Sequence, residues 1–380
     1  MGLSSLAIKK HFARLKDPRR RHCRRHRLLD IIAIAICAVI ADCNTWTEIA
    51  AFGRRREAWL KRFLSLPNGI PSHDTFERVF KLIDPQAFQL CLRDWIVGLA
   101  EAVGIKHVAI DGKSLRGSRD AVAKLGPLHL VSAWATHCRI TLGQVAVDKK
   151  SNEITAIPKL LDLLEVRGAI VTIDAMGCQK EIAAKIRERG AHYALTVKDN
   201  QPQLLEDLAA CFEQAEETDY AGLEHDACEK EERGHGREET RTCTIIRNPT
   251  GIRHLEAWRD ACVIGMRCSE RIVNNEATVE VRYFIGSKNA TARYYATVLR
   301  NHWHIENGLH WHMDVTFRED ADRTQERNAA QNMALLRRQA MALLRQDSGK
   351  DSLACKRKQA AWDPDYLEAI LTGARNLGNS

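Results

Sequence analysis

The chain has 380 residues, 45% of them apolar and 28% charged, with a formal net charge of +8. That length can hold two or three domains and a sizeable core, the composition is that of a soluble globular protein, and the mild positive excess favours a polyanionic partner. Twelve cysteines stand without a single C-x-x-C spacing, which excludes a zinc ribbon or dithiol redox motif and suits reduced thiols in a cytoplasm.

The N-terminal stretch from Lys9 to Arg27 carries ten Lys or Arg against one acid, Asp17, around the core RRRHCRRHR. Clustered cations displace the counterions condensed on DNA. Arg19, Arg20, Arg21, Arg24 and Arg25 are therefore candidate phosphate contacts, with a solvated basic tail as the alternative. The apolar run LLDIIAIAICAVIA, Leu28 to Ala41, is 14 residues long and contains Asp30. A membrane span needs roughly 20 apolar residues, and no small-x-small cleavage site follows, so a buried helix is expected. Asp42 to Thr47 reads as a turn. WTEIAAFGRRREAWLKRFL is amphipathic with basic flanks. In PSHDTFERVFKLID, Pro71 and Ser72 precede a helix with Phe76, Val79, Phe80 and Ile83 at helical spacing. Residues 1–100 are read as a helical, basic DNA-binding domain, a plain helical scaffold being the alternative.

Near His107 the texture changes. HVAID reads as a short buried strand ending in Asp111. LHLVSAWA and RITLGQVAV are two more strands, EITAIPKLLDLLE is a helix, and AIVTID is a strand ending in Asp174. QKEIAAKIRERG is a helix stopped by Gly190, HYALTV is a fifth strand ending before Lys198, and Pro202 opens another helix. The first three strands can form an antiparallel meander. The fourth and fifth are reached through helices and should be parallel. This order is that of an RNase H-like mixed sheet, an α/β fold in which the first and fourth strands are neighbours. Asp111 and Asp174 then emerge side by side at the edge where α/β sheets bind ligands.

Residues 101–218 are assigned to the first part of this core. Residues 219–288 are read as a mostly β insertion, with turn signals at Gly234-His235-Gly236 and Asn274-Asn275. Residues 289–347 return to the core as helices, starting with a long helical pattern, TARYYATVLRNHWHIENGLHWHM. Residues 348–380 are polar and weakly patterned, and are taken as a tail.

Two carboxylates on adjacent strands repel each other unless a cation lies between them. Mg²⁺ or Mn²⁺, preferring hard oxygen ligands, fits that role, and two such ions about 4 Å apart can hold the attacking and leaving oxygens of a phosphodiester in line. A third carboxylate from a helix would complete such a site. The spacing alone leaves Glu306, Asp314, Glu319 and Asp320 open for it.

The segments AIDGKSLRGS, IVTIDAMGCQ, TVKDNQP, GHGREETR and LRNHWHIENGLHWHMDVTFRED, with GIPSHDTFERVF near the N-terminus, resemble the DDE transposases of bacterial insertion sequences, most of all the H-repeat-associated group. The resemblance covers roughly residues 10–345. It implies that Asp111, Asp174 and Glu306 are the catalytic and metal-holding triad. It also implies DNA partners (terminal inverted repeats and a target) and a dimer on DNA. The broader superfamily often has Tyr, Arg and Lys around the glutamate, where this chain has Leu299, His302 and Met313.

Further DNA-contact candidates are Lys113, Arg116, Lys198, Asn200, His235, Arg237 and His302. Trp303 and Trp311 are read as core residues, and Arg337 and Arg338 as solvated. Three rival readings stand beside a transposase. One is an inactive or domesticated DNA-binding relative. Another is a nuclease of the same fold without strand transfer. The third is a zinc enzyme built on His302, His304, His310 and His312, disfavoured because no HExxH pattern or second ligand cluster accompanies them.

Overall fold

A computed structural model describes residues 5–100, 104–147, 152–234, 237–274 and 276–373. Helices come first: α1 (Ser5–Phe12), α2 (Leu28–Ile40), α3 (Trp46–Arg55), α4 (Glu57–Leu60), α5 (His73–Leu82) and α6 (Pro85–Ala100). α2 is the apolar run. Every residue from Asp30 to Ile40 is buried, and the Asp30 carboxylate accepts a hydrogen bond from Leu66 N at 3.1 Å. No described helix is long and apolar enough to cross a membrane. α3 begins at a capping box in which Thr45 accepts from Glu48 N and Glu48 from Thr45 N.

The sheet strands and their crossovers follow: β1 (His107–Leu115), β2 (Leu128–Ala135), β3 (Ile140–Ala146), α7 (Glu153–Asp162), β4 (Ile170–Ile173), α8 (Lys180–Glu188), β5 (His192–Val197), α9 (Pro202–Glu217). Then come β6 (His225–Gly234), β7 (Arg237–Arg247), β8 (Val263–Val273) and β9 (Glu276–Gly286), and the helices α10 (Ala292–His302), α11 (Trp311–Val315), α12 (Arg327–Gln346), α13 (Leu353–Trp362) and α14 (Pro364–Thr372).

The strand order is β3-β2-β1-β4-β5-β9-β8-β7-β6. β1, β2 and β3 form the antiparallel meander. β4 lies parallel to β1, and β5 parallel to β4, as their helical crossovers require. This is the RNase H-like core. β9 pairs antiparallel with β5, and β8, β7 and β6 follow antiparallel in turn. The inserted strands thus extend the same sheet. Ile110, Val171, Ile173 and Leu195 pack with α7, α8 and α9 on one face. Ala194 and Phe284 pack under Tyr295, Val298 and Leu299 of α10 on the other. The core of α2 to α6 is continuous with α12 and α14.

Three sequence expectations change. β1 does not end at Asp111: β2 keeps pairing with it from Asp111↔Ser132 to Leu115↔Leu128, beyond the point where β4 stops. The pattern from Thr291 to Met313 is not one helix, because α10 ends at His302 and Glu306–His310 forms a π-turn. The segment 348–380 is not a plain tail, since α13 and α14 lie within it and Tyr366, Leu367, Ile370 and Leu371 are buried.

Candidate active site

The pairing of β1 with β4 ends at Ile110↔Ile173. Asp111 and Asp174 are the next residues, so their side chains project from adjacent parallel strands at one level. Because side chains alternate along a strand, both point to the face opposite Ile110 and Ile173, the face that α10 covers. Asp174 caps the short turn Ala175–Gly177, accepting from Gly177 N at 3.4 Å. Asn200 Nδ2 donates to Ala175 O at 2.8 Å and Gln201 Nε2 to Cys178 O at 3.0 Å, so both brace the loop behind Asp174.

Glu306 reaches the same place from the helical layer, as the first residue of the π-turn. Such turns recur at functional sites because they rotate side chains off the regular helical register. The turn is pinned from α12. Arg345 Nη2 donates to Gly308 O at 2.6 Å, and its guanidinium lies 5.0 Å from the centre of the Trp134 ring. A side chain at position 308 would touch that ring at 3.4 Å. His310, at the other end of the turn, brings Nδ1 to 3.5 Å from Asp111 Oδ2 and 3.6 Å from Glu306 Oε2. Asp111, Asp174, Lys198, His302, Trp303 and Glu306 line one cleft of about 210 Å³.

Crowding of acids sets the electrostatics. Burial, and next the charge of Glu306, push Asp111 up to about 8. Glu306 moves the other way, held down first by its hydrogen bond with His310. The two directions agree on one state: Asp111 keeps a proton and Glu306 keeps its charge. Asp174 is raised by burial and then by Glu153, against the pull of Lys198. Glu153, in the first turn of α7, acts on both aspartates. It is fixed by His129 Nε2 at 2.7 Å. Gly112 leaves the room for this, since a Cβ there would overlap the Glu153 carboxylate and the His129 ring.

This arrangement fits a divalent cation. Asp111, Glu306 and His310 offer three donor atoms within 4.8 Å of one another, and carboxylate oxygens suit Mg²⁺ and Mn²⁺. Asp174 lies outside that trio but in the same cleft. The other acids near Glu306 are engaged. Asp314 and Asp320 hold Lys113 Nζ at 2.7 and 3.1 Å, and Glu319 is buried against Arg338 at 2.7 Å. Of the four acids left open by spacing, Glu306 is the one that faces Asp111.

The other candidates divide. Lys113, expected at a phosphate, is buried in those two ion pairs, and Arg116 is exposed with Nε 3.5 Å from Asp320. Lys198 is exposed at the cleft. His302, expected as a phosphate donor, ends a buried chain of hydrogen bonds, Thr136–His107–Thr172–His302, with Thr172 Oγ1 to His302 Nδ1 at 3.0 Å. Burial pushes it down to about 4, so it is neutral near pH 7. In the basic run, Arg19 is buried, paired with Asp17 at 2.9 and 2.7 Å and donating to His26 O. It is a structural arginine. Arg24 donates to the carbonyls of Arg19 and Asp17. Arg20, Arg21 and Arg25 are exposed. His235 lies outside the described residues, and Arg237 is described as the first backbone position of β7.

The four histidines do not converge. His304 is exposed, His312 bonds Thr316, and His310 alone joins the acids. Trp303 and Trp311, expected in the core, are 47% and 51% exposed. Arg337 and Arg338, expected in solvent, are buried and paired with Asp322 and Glu319. Sequence reasoning placed His310 only in the zinc reading, where its four-residue spacing from Glu306 was the signal, and passed over Glu153, which nothing local marked.

Residues 103–345 match the family described as "Transposase DDE domain", and residues 9–96 match "DDE_Tnp_1-associated". The chain belongs to the DDE transposase family. It is 37% identical over 373 residues to the "H repeat-associated putative transposase YhhI" of Escherichia coli K12, covering 97% of this chain and 98% of that one. It is 39% identical over 289 residues to the "Putative transposase YncI" of Escherichia coli O157:H7, covering 75% of this chain and 73% of that one. A distant likeness among solved structures is the piggyBac transposase synaptic complex with hairpin DNA, at a TM-score of 0.41 and 9% identity, covering 100% of this chain and 83% of that one.

Proposed function

We propose that this chain is an insertion-sequence transposase that binds the terminal inverted repeats of its element, cuts DNA there, and joins the freed 3′-hydroxyls to a target. One observation carries the reading: Asp111 and Asp174 project from adjacent parallel strands into a single cleft, and a pinned π-turn sets Glu306 against Asp111.

In this reading Asp111, Asp174 and Glu306, with His310 beside them, hold two Mg²⁺ or Mn²⁺ ions. When bound, those ions activate a water or a 3′-hydroxyl and stabilise the leaving oxygen of the phosphodiester. The chain's own contribution is placement. The β1–β4 register fixes the two aspartates, Arg345 fixes Glu306, and the Gly177 amide fixes Asp174. The proton that Asp111 carries without a cation leaves when one binds, because a coordinated carboxylate must be ionised. Lys198 faces the anionic strand. Residues 1–100 contribute Arg20, Arg21 and Arg25 to the phosphate backbone, and residues 219–288 extend the DNA-facing sheet. Two ends are joined in one event, so two copies act together on DNA, in the cytoplasm where the DNA of a bacterial insertion sequence lies.

The test uses purified protein, DNA carrying the element's ends, and Mg²⁺. Wild type should nick at the ends and give joined products. Equal cutting by wild type and Asp174→Ala would sink the assignment, and cutting without joined products would make the chain a nuclease of the same fold.

A further inference from the structure

The sheet edge that carries the acids continues into the inserted strands, and there its chemistry changes sign. β5 pairs with β9 up to Val197↔Tyr283, so Lys198 on β5 and Arg282 on β9 are the next residues along that boundary. Arg282 lies directly opposite Arg267 of β8, and Arg267 directly opposite Cys243 of β7. Directly opposed residues share a face, and Cys243 packs in the cluster under α10. On the α10 face Asp111 and Asp174 stand at one level, and because Ile173 pairs with Leu195, Lys198, Arg282 and Arg267 form a second row two residues further along the strands. All five line the same cleft. Two acids stand at one end and three cations at the other, one strand apart at each step past Asp174.

The two arginines are incompletely partnered by the fold. Among the described residues Arg267 has no ion pair and no side-chain hydrogen bond, although the residue is partly buried. Burial is the first cause that pushes its ionisation down, and Arg282, Arg300 and Arg241 add to it. Arg282 is held at Nη2 by Glu280 at 2.6 Å, while its buried Nε has no partner. Arg267 also lines a second depression of about 470 Å³ between β6–β8 and α10, together with Arg293 and Arg300. Acids lie at its outer side: Glu232 is taken up by Arg241 at 2.6 Å, and Glu229 is the other lining carboxylate. A partly buried guanidinium without a partner is free to take an anion. A phosphate diester supplies a planar pair of acceptor oxygens that fits the fork.

We propose that Arg267 and Arg282, supplied by the inserted strands, hold the DNA backbone beside the cut site, with Lys198 between them and the acids. This rests on the transposase reading above and adds to it a phosphate-binding subsite. Strands lie about 4.8 Å apart and residues about 3.4 Å along a strand, so Arg282 and Arg267 stand roughly 12 and 16 Å from Asp174. At a rise of about 3.4 Å per nucleotide, that is roughly four to five nucleotides from the scissile phosphate. The insertion thus completes the active cleft by reading backbone charge, and the acids at the other end are left to the reacting phosphate.

The test measures binding of the full-length protein to a fluorescent duplex carrying one element end, in Ca²⁺ so that cutting is suppressed, across a salt series. Arg267→Gln and Arg282→Gln should each weaken binding about tenfold and reduce the salt slope by about 0.9. Arg267→Lys should recover part of the loss. Lys185→Gln, on α8 across the sheet from the cleft, should leave both unchanged. A merely structural arginine predicts a lower melting temperature in the free protein, whereas an unpaired one removed from a buried site predicts an unchanged or higher one. Wild-type affinity and slope in Arg267→Gln and Arg282→Gln, or a lowered melting temperature as their only effect, overturns the proposal. Its failure is separable from that of the transposase reading: Asp174→Asn tests the latter, and should bind like wild type while failing to cut. No DNA binding by wild type overturns both.

Discussion

Replacing each of two glutamates only thirteen positions apart should have opposite consequences. Glu319 is fully buried, and its Oε1 accepts from Arg338 Nη1 at 2.7 Å with side-chain exposures of 0% and 3%. Nε and Nη2 of Arg338 already lack partners, so Glu319→Gln leaves a buried cation with only the Ala334 carbonyl and a neutral amide. Breaking such a pair costs about 3–5 kcal/mol, a large share of the roughly 5–15 kcal/mol that holds a domain together. Glu306 differs: its side chain is about half exposed, 51%, and it raises the energy of ionised Asp111 beside it. Glu306→Gln should change stability by no more than about 0.5 kcal/mol in the unfavourable direction, while abolishing cutting. Chemical denaturation of wild type and both variants, followed by a cutting assay in Mg²⁺, reads both quantities. A stable, inactive Glu306→Gln and a destabilised Glu319→Gln are expected. If Glu319→Gln is as stable as wild type, or Glu306→Gln loses several kcal/mol, the division between structural and site acids is wrong.

The Asp111 carboxyl should make stability depend on pH when divalent ions are removed. Its folded value, about 8, lies above its unfolded 3.8, so between these the folded chain holds a proton that the unfolded chain does not. Stability relative to Asp111→Asn should therefore fall as pH rises from about 4 to about 8; a flat difference between the two proteins across that window would contradict the burial account. Arg345→Met should free the Gly308 carbonyl and loosen the π-turn. Cutting should drop about a hundredfold, as misplacing a reacting group does, with DNA affinity unchanged; equal losses in both would point to a general folding defect instead.

The RNase H-like core was legible because each of its strands is an apolar run bounded by turn residues, and because helical crossovers force parallel neighbours. That reasoning set Asp111 beside Asp174. It could not say that β9 docks on β5, since alternation along the inserted strands gives their faces and not their partner. The ends of secondary structure were harder. β1 outlasts Asp111 because β2 stays with it, and the helix bearing Glu306 widens into a π-turn because Arg345 and Trp134, distant in sequence, hold it so. Charged residues were the least legible. Lys113 looks like a phosphate ligand until Asp314 and Asp320 fold onto it, and Arg338 looks solvated until Glu319 does. Arg267 sits in an ordinary-looking strand, and only the register with Arg282 and the fold of α10 over it give it a place.

The central claim is that these carboxylates hold the divalent ions that cut DNA, and a change of metal preference tests it most directly. Asp111→Cys exchanges a hard oxygen ligand for a soft sulfur, which Mg²⁺ accepts poorly and Mn²⁺ tolerates better. Cutting of end-bearing DNA is measured in each metal alone. The account predicts that Asp111→Cys is inactive in Mg²⁺ and regains cutting in Mn²⁺. Undiminished cutting by Asp111→Cys in Mg²⁺ would contradict it.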